Sequence, residues 1–373
     1  MKRGVFWAAV ATLTGTIIGA GILGIPYTFS KAGLIPGILN MIVLGILIMF
    51  VNLYLGEVIL RTKGKHQLPG YAGKYLGKTG KILMLISSFL FLYGSLIAYT
   101  VGEGEVLSFV FFGSTAFAII FSIIFFVIMA FLVYLGLKAL EDGEKFGLIV
   151  VSAMILAIFF FFFSKINLSN FTLASSNYAS WFLPYGVILF AFLALSALPE
   201  MREELAKNEK KFKHAIIIGS LIPLILYLLF AVSIYGFAGA FTPEIATLAL
   251  GKLPCILAIF TMFTAFFALG IALKEVFMYD FKFKKNSCFL LTIIPVLILS
   301  VLIILFKLTT FIKLLGFIGS IAGGLAAILV LLMVKQAKSK GDRFPEYKIP
   351  LNWIMIIILI IIFLAGIIYQ FVF

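Results

Sequence analysis

The stretch TLTGTIIGAGILGIPYTFS, residues 12–30, decides the fold of this chain and lies within its first long apolar segment. Its glycines and its proline are Gly15, Gly19, Gly21, Gly24 and Pro26. A glycine inside a helix costs roughly 0.8–1 kcal/mol relative to alanine, and a proline costs about 3 kcal/mol. Because Pro26 lacks an N–H, the carbonyl of Ile22 is expected to lose its helical donor. The stretch therefore predicts a helix broken inside a membrane, for close helix packing or for a binding site.

A second interruption favours the binding site. The segment LFAFLALSALPEMREE, residues 189–204, contains Pro199, which is expected to free the carbonyl of Leu195. The residues around this break are small, and the chain becomes charged directly after the proline. Broken helices at corresponding positions in two halves of a chain are typical of the substrate site of a transporter.

The composition is that of a polytopic membrane protein. The chain is 63% hydrophobic and 12% charged, with a mean hydropathy of +1.21, and apolar runs of membrane length recur along it. The net charge of +14 is explained by topology, and we expect no nucleic acid partner and no obligatory protein partner. Neither the two cysteines nor the two histidines form a cluster with metal-ligand spacing, so the sequence predicts no metal, no cofactor and no enzyme activity.

Eleven transmembrane helices are predicted. They are 5–33, 36–60, 82–110, 115–137, 145–164, 178–203, 213–238, 253–279, 287–306, 310–334 and 351–371. With the N-terminus in the cytoplasm, 23 of the 29 basic residues fall on the inner side, as the positive-inside rule requires. We therefore expect a multi-pass protein of the cell membrane with a cytoplasmic N-terminus and an extracellular C-terminus.

The fold class expected is all-α, with two inverted five-helix repeats and one extra C-terminal helix. Residues 1–373 would form one transporter domain, composed of 1–164, 178–334 and 351–371. Because five is odd, a second five-helix unit must insert upside down, which brings the two broken helices together at the bilayer midplane.

Two broken helices that meet at the midplane can hold a zwitterion with their backbone groups alone. Where the first span restarts, near Ile22, free N–H groups and the helix dipole favour an anion. Where that span stops, around Thr16 to Ile18, and where the sixth stops, around Phe190 to Phe192, unpaired carbonyls favour a cation. Because spans 1, 6 and 8 have no charged residue at mid-membrane, a neutral amino acid is the expected substrate.

Four motifs resemble the amino acid/auxin permease and aromatic amino acid permease branch of the amino acid–polyamine–organocation superfamily. They are GTIIGAGILGIPYTFSKAG, EVILRTKGKHQLPGYAGKYLGKTGK, FAFLALSALPEMREEL and IGSLIPLILYLLF. The resemblance covers essentially the whole chain and implies the inverted-repeat fold of the bacterial leucine transporter. It also implies that Gly19, Ala20 and Gly21 receive the substrate carboxylate. It further implies that Phe190, Ala191 and Phe192 form the second break, with Phe190 as an aromatic gate.

The site hypothesis includes side chains and ion-coupling groups. The substrate-binding candidates are Thr16, Gly19, Ala20, Gly21, Ile22, Ser95, Tyr99, Phe190, Ala191 and Phe192. Sodium-coupled relatives imply a cation site at the carbonyls of Gly15 and Ile18 with Thr264, although Ala265 stands where a second hydroxyl would be. Glu103, a carboxylate within a span, is the candidate for proton coupling. The coupling ion stays open between proton and sodium.

The sequence therefore predicts a secondary active, ion-coupled amino acid permease that works by alternating access, for neutral or aromatic substrates. The alternatives are a transporter of another small amine or organic cation of the same superfamily, and a channel. A channel has no need of two broken helices at one depth. On the transporter hypothesis, Gly21→Leu is expected to abolish transport and to leave the protein folded.

Overall fold

The structure, a computed structural model, describes residues 3–136, 144–206, 208–350 and 352–372. Every regular element within them is a helix, which satisfies backbone polar groups internally where no water is present. The α-helices are α1 (Arg3–Ile17), α2 (Ile25–Ala32), α3 (Leu34–Arg61), α4 (Leu68–Phe112), α5 (Ala118–Leu135), α6 (Glu144–Phe163), α7 (Leu183–Phe192), α8 (Ala197–Glu204), α9 (Phe212–Ala238), α10 (Cys255–Glu275), α11 (Lys285–Phe306), α12 (Phe311–Ile318), α13 (Gly324–Lys340) and α14 (Trp353–Val372).

Nine helices in these ranges are long and apolar enough to cross a membrane. The pair Gly4–Ile17 and Ala20–Ala32, bent by 45°, makes a tenth span. A further apolar helix, Gly147–Phe163, is shorter, so this criterion gives ten spans where the sequence predicted eleven. Lys2, Lys138 and Lys207, which the topology prediction placed inside, lie outside the described residues.

Two spans are broken where the sequence predicted. α1 ends at Ile17, a 3₁₀ helix covers Ala20–Gly24, and α2 follows. α7 ends at Phe192, and α8 begins at Ala197. Pro26 lies in the first turn of α2, where a missing N–H removes no helical hydrogen bond.

The carbonyls expected to be free are engaged. The N–H of Ile25 donates to the carbonyl of Ile22, and the N–H of Leu198 donates to the carbonyl of Leu195 at 3.3 Å. In both bonds the donor lies three residues after the acceptor and is the residue before the proline. The missing N–H of the proline therefore leaves neither carbonyl without a donor. The prediction of open carbonyls at Ile22 and Leu195 was therefore wrong. The carbonyl of Ile17, at the end of α1, instead accepts a hydrogen bond from a side chain of α9.

Glycines bring α7 close to the tenth predicted span, which contains α12, a π-helical turn (Gly319–Gly323) and α13. A Cβ on Gly186 would overlap the backbone of Gly316, and a Cβ on Gly319 would overlap the backbone of Gly186. α4 is longer than the predicted span, and it bends at Gly77, whose φ of 73° suits glycine. α4 and α9 border the two breaks.

A buried carboxylate ties the end of α3 to the segment 341–350. Glu57 is fully buried, and its Oε1 accepts from Arg61 Nε at 2.9 Å and from Lys338 Nζ at 2.9 Å. Its Oε2 accepts from the N–H of Ile349 at 2.8 Å. The pair of Glu57 with Arg61 is thus part of a larger network that holds residues 341–350 against α3.

Exposed charges also connect the segment 341–350 with the start of α4. Asp342 pairs with Lys74 and accepts a hydrogen bond from the N–H of Lys63 at 2.9 Å. The hydrogen bonds from Lys74 and from the Lys63 backbone hold the pKa of the Asp342 carboxyl below its usual value. Asp342 is therefore ionised at neutral pH.

Candidate functional site

The two breaks lie directly against each other. A Cβ on Gly21 would be 2.7 Å from Ala191 Cα and 3.2 Å from Phe190 Cδ1. Any side chain at Gly21 would thus push the first break away from the second. This packing corrects the expectation that Gly21→Leu leaves the protein folded, because Gly21 is a helix contact as well as a candidate site residue.

Gly19 differs from Gly21 because it faces open space. Its backbone is extended (φ −118°, ψ −161°), and the nearest atom to an added Cβ is Tyr99 Oη at 4.0 Å. The N–H groups of Ala20 and Gly21 begin the 3₁₀ helix, where donors have no acceptor within the helix. The N–H of Ile22 already donates to the carbonyl of Gly19 at 3.4 Å. The donors for an anion therefore lie at Ala20 and Gly21 rather than at Ile22.

The carbonyl side of the site contains a tyrosine that sequence reasoning missed. Tyr227 of α9 is fully buried, and its Oη donates to the carbonyl of Ile17 at 2.6 Å. The same oxygen is 3.4 Å from the carbonyl oxygen of Ala191. The ring of Phe192 meets the tyrosine ring edge-on, with centroids 5.3 Å apart. Tyr227 lies in IGSLIPLILYLLF, one of the motifs quoted above, and a lone polar ring in that apolar run was the available signal.

Aromatic rings of α4 and α7 surround the site. The ring centroid of Phe190 is 5.5 Å from that of Phe91 and 6.3 Å from that of Tyr99. Ser95 and Tyr99 are buried, and the Ser95 hydroxyl donates to the carbonyl of Phe91 at 2.6 Å. The structure therefore brings Tyr99, Phe190 and Gly19 together, while the proton of Ser95 is used within α4.

A cavity of about 250 Å³ extends from residues 67–69, before and at the start of α4, to the second break. Its wall includes Phe91 of α4, Ser196 of the second break and Glu275 of α10. Phe91 of the cavity wall contacts Phe190, and Phe190 contacts Tyr99, so these two rings connect the wall of the cavity with Tyr99. Thr16, at the end of α1, is exposed, and its hydroxyl donates to the carbonyl of Thr12 at 2.8 Å.

The sodium-site candidates Gly15, Ile18 and Thr264 each make contacts that do not involve the other two. The hydroxyl of Thr264 donates to the carbonyl of Phe260 at 2.8 Å, within its own helix. An added Cβ on Gly15 would lie 3.9 Å from Leu148 Cβ, so Gly15 faces α6. The N–H of Ile18 donates to the carbonyl of Thr14 at 2.8 Å, and this bond continues α1 by one residue. These contacts do not join Thr264 to the first break.

Glu103 is a buried carboxylate in α4. Its side chain is 1% exposed, and its Oε2 has no hydrogen-bond partner among the described residues. A buried carboxylate oxygen without a partner is costly, and inside a membrane such a residue is a functional candidate by default.

Two comparisons with known proteins bear on the fold and on the kind of protein. The crystal structure of MhsT in complex with L-phenylalanine aligns with 100% of this chain and 98% of that chain, with a TM-score of 0.68 and 14% identity. At that identity the likeness concerns the fold alone. Among curated proteins, tyrosine-specific transport system 1 of Haemophilus influenzae is 25% identical over 95% of this chain and 93% of its own length.

A third, partial match and a family model complete the comparison. Glutamine transporter 2 of Aliivibrio fischeri is 24% identical over 60% of this chain and 59% of its own length. The model of the tryptophan/tyrosine permease family matches residues 2–370, which is nearly the whole sequence. By this match the chain belongs to the tryptophan/tyrosine permease family.

Proposed function

We propose that this amino acid permease is a secondary active transporter of aromatic amino acids in the cell membrane. The observation that carries the proposal is the contact of the two breaks at Gly21 and Ala191, with aromatic rings beside it. The names of the family and of the Haemophilus influenzae relative, which refer to tryptophan and tyrosine, support an aromatic substrate. The family and its relatives are transporters, so the chain is not an enzyme.

In the proposed site, backbone groups bind the charged ends of the amino acid. The substrate carboxylate lies at the N–H groups of Ala20 and Gly21, next to Gly19. The ammonium lies near the carbonyl ends of α1 and α7. A net-neutral ligand held by helix ends needs no charged side chain, and residues 12–24 and 183–196 contain none. The full substrate set proposed is Thr16, Gly19, Ala20, Gly21, Ile22, Ser95, Tyr99, Phe190, Ala191 and Phe192.

The aromatic side chain of the substrate would lie against Tyr99 and Phe190. Aromatic rings prefer edge-to-face or offset contacts with centroids about 4.5–7 Å apart, and the rings of the site already pack in this way. Phe190 and Phe91 would move to connect the site with the cavity, which serves as the inward path in alternating access.

The architecture proposed has eleven spans, with α6 counted as the fifth. Residues 1–164 and 178–334 would be inverted repeats, and 351–371 the extra helix. Gly19 precedes Pro26 by seven residues, and Phe192 precedes Pro199 by seven, as two copies of one broken helix would. The inner excess of lysine and arginine supports a cytoplasmic N-terminus.

Transport is proposed to be coupled to an ion. Glu103 is the proton candidate, because its buried Oε2 has no partner in the described part of the chain. A sodium site at Gly15, Ile18 and Thr264 is the second candidate. It lacks a hydroxyl at Ala265, and Thr264 would need to turn from its own helix toward the first break.

Counterflow in proteoliposomes tests the substrate proposal. Proteoliposomes that contain the purified protein are loaded with unlabelled amino acid. The uptake of labelled L-tyrosine into them is then measured in the presence of each competitor of a panel. We expect tryptophan, tyrosine and phenylalanine to compete best. Strongest competition by glutamine would favour a polar neutral substrate, as the name of the Aliivibrio fischeri relative suggests. Strongest competition by arginine, lysine or glutamate would contradict the backbone-only site.

A further inference from the structure

Tyr227 belongs to α9, and its hydroxyl contacts the ends of both α1 and α7. Its hydroxyl lies between the carbonyl of Ile17, in the last residue of α1, and the carbonyl of Ala191, in the last turn of α7. Carbonyls in the last turn of a helix lack helical donors and carry the negative end of the helix dipole. One hydroxyl on a third helix therefore connects the negative ends of both half-helices.

We infer that Tyr227 is a positioning residue that holds these two carbonyl ends at the spacing needed to bind the substrate ammonium. The inference rests on the proposed function, because it takes the ammonium site from there. It adds a side chain of α9 to a site otherwise made from α1, α4 and α7.

The hydrogen-bond geometry supports an asymmetric role. A tyrosine hydroxyl has one proton, and the 2.6 Å contact with Ile17 is the stronger bond, while the 3.4 Å contact with Ala191 is long. The hydroxyl thus fixes the end of α1 and leaves the Ala191 carbonyl largely available as an acceptor. The end of α1 lies beside Gly19, so its position also determines where the extended segment begins.

Packing alone does not account for the hydroxyl. The ring contact with Phe192 depends on the ring, which phenylalanine would reproduce. Tyr227→Phe therefore removes the oxygen and its proton and keeps the ring. The carbonyl of Ile17 then keeps only the N–H of Gly19, at 2.8 Å, as a donor. The end of α1 loses its hydrogen bond to α9 and is free to move away from α7.

The test compares three ligands that differ in their charged groups. L-phenylalanine has both charges, 2-phenylethylamine lacks the carboxylate, and 3-phenylpropanoate lacks the ammonium. Inhibition constants against labelled L-tyrosine are measured for the wild type and for Tyr227→Phe. We expect the variant to bind phenylalanine and phenylethylamine about tenfold more weakly, since a hydrogen bond at a charged group is at stake. Binding of phenylpropanoate should change less than about twofold, because that ligand has no ammonium to lose.

Tyr235→Phe is the matched control. Tyr235 lies on the same helix and is equally buried, but its hydroxyl accepts from the N–H of Thr172 at 3.0 Å, in the connection that follows α6. This variant should keep all three inhibition constants.

Two results would overturn the inference and leave the proposed function intact. They are an equal loss for all three ligands in Tyr227→Phe, which indicates general loosening, and no loss for any of them. If the wild type itself binds phenylalanine and phenylpropanoate equally well, the proposed ammonium site fails and the inference fails with it.

Discussion

Gly19 and Gly21 are two residues apart in one break, yet the structure gives them different tasks. Gly21 has Ala191 within contact distance of any added side chain, whereas Gly19 has open space in front of Tyr99. In the proposed site, a substitution of Gly19 would therefore affect the substrate pocket, and a substitution of Gly21 would affect the packing of the two breaks. A substitution series that treats them as equivalent would mix these two effects.

Gly19→Ala is expected to weaken substrate binding without loss of stability. The extended backbone of Gly19 is open to any L-residue, and the added methyl would point toward the Tyr99 hydroxyl. A methyl group in a tight pocket changes affinity by about tenfold or more. The measurement is the Michaelis constant for uptake, with the apparent melting temperature in detergent recorded beside it. Gly147→Ala is the control, since its Cβ would make only an ordinary contact with Phe260 at 3.7 Å. Unchanged uptake by Gly19→Ala would remove Gly19 from the site.

Glu103→Gln is expected to abolish accumulation driven by a pH gradient and to preserve exchange of substrate for substrate. Glutamine keeps the shape of the side chain but cannot release a proton, and exchange requires no net proton movement. Uptake is measured in vesicles under a pH gradient alone and then under a sodium gradient alone. If sodium drives accumulation at constant pH, the proton proposal is wrong.

Thr264→Ala should in that case raise the sodium concentration required for half-maximal uptake.

At the scale of single residues, sequence reasoning succeeded where backbone chemistry is local. Glycine and proline mark a break whatever surrounds them, so the ends of α1 and α7 were predicted correctly. Tyr227 was missed because its role depends on the direction in which α9 faces. That direction follows from packing between residues 210 positions apart, such as Tyr227 and Ile17.

Among the elements, α3 and the segment 341–350 depend on Glu57. Glu57→Gln is expected to lower the stability of the protein strongly, because Arg61 and Lys338 would lose their shared carboxylate. Removing one partner of a buried ion pair costs about 3–5 kcal/mol. The measurement is the apparent melting temperature in detergent, together with protease cleavage within residues 341–350.

Glu203→Gln is the control for Glu57→Gln, as Glu203 pairs with Lys65 on the exposed surface. An exposed pair contributes about 0–1 kcal/mol, so this variant should melt close to the wild type. Equal melting of both variants would mean that the Glu57 network contributes nothing measurable.

The Glu57 network shows why contacts between elements were only partly predictable from the sequence. The pair of Glu57 with Arg61 spans four residues of one helix and could be read from the sequence. Lys338 and Ile349 are 281 and 292 residues away from Glu57, and no local pattern indicates such a contact. For the same reason, the approach of α7 to Gly316 and Gly319 was not foreseen.

For the whole molecule, the proposed orientation is testable with introduced cysteines. Both native cysteines, Cys255 and Cys288, are buried and should react little. Ser169→Cys, in the exposed connection after α6, should react with a membrane-impermeant maleimide in intact cells. Ser287→Cys, at the exposed start of α11, should react only after the membrane is permeabilised. The reverse pattern would invert the proposed topology.

The uncharged breaks of the site have an electrical consequence. Moving one elementary charge through 100 mV involves about 2.3 kcal/mol, but backbone dipoles that hold a zwitterion contribute no net charge to a transport cycle. If transport is ion-coupled as proposed, any steady current in a voltage-clamped membrane would therefore be carried by the coupled ion. The ratio of that current to the flux of amino acid would count the ions that cross with each substrate molecule.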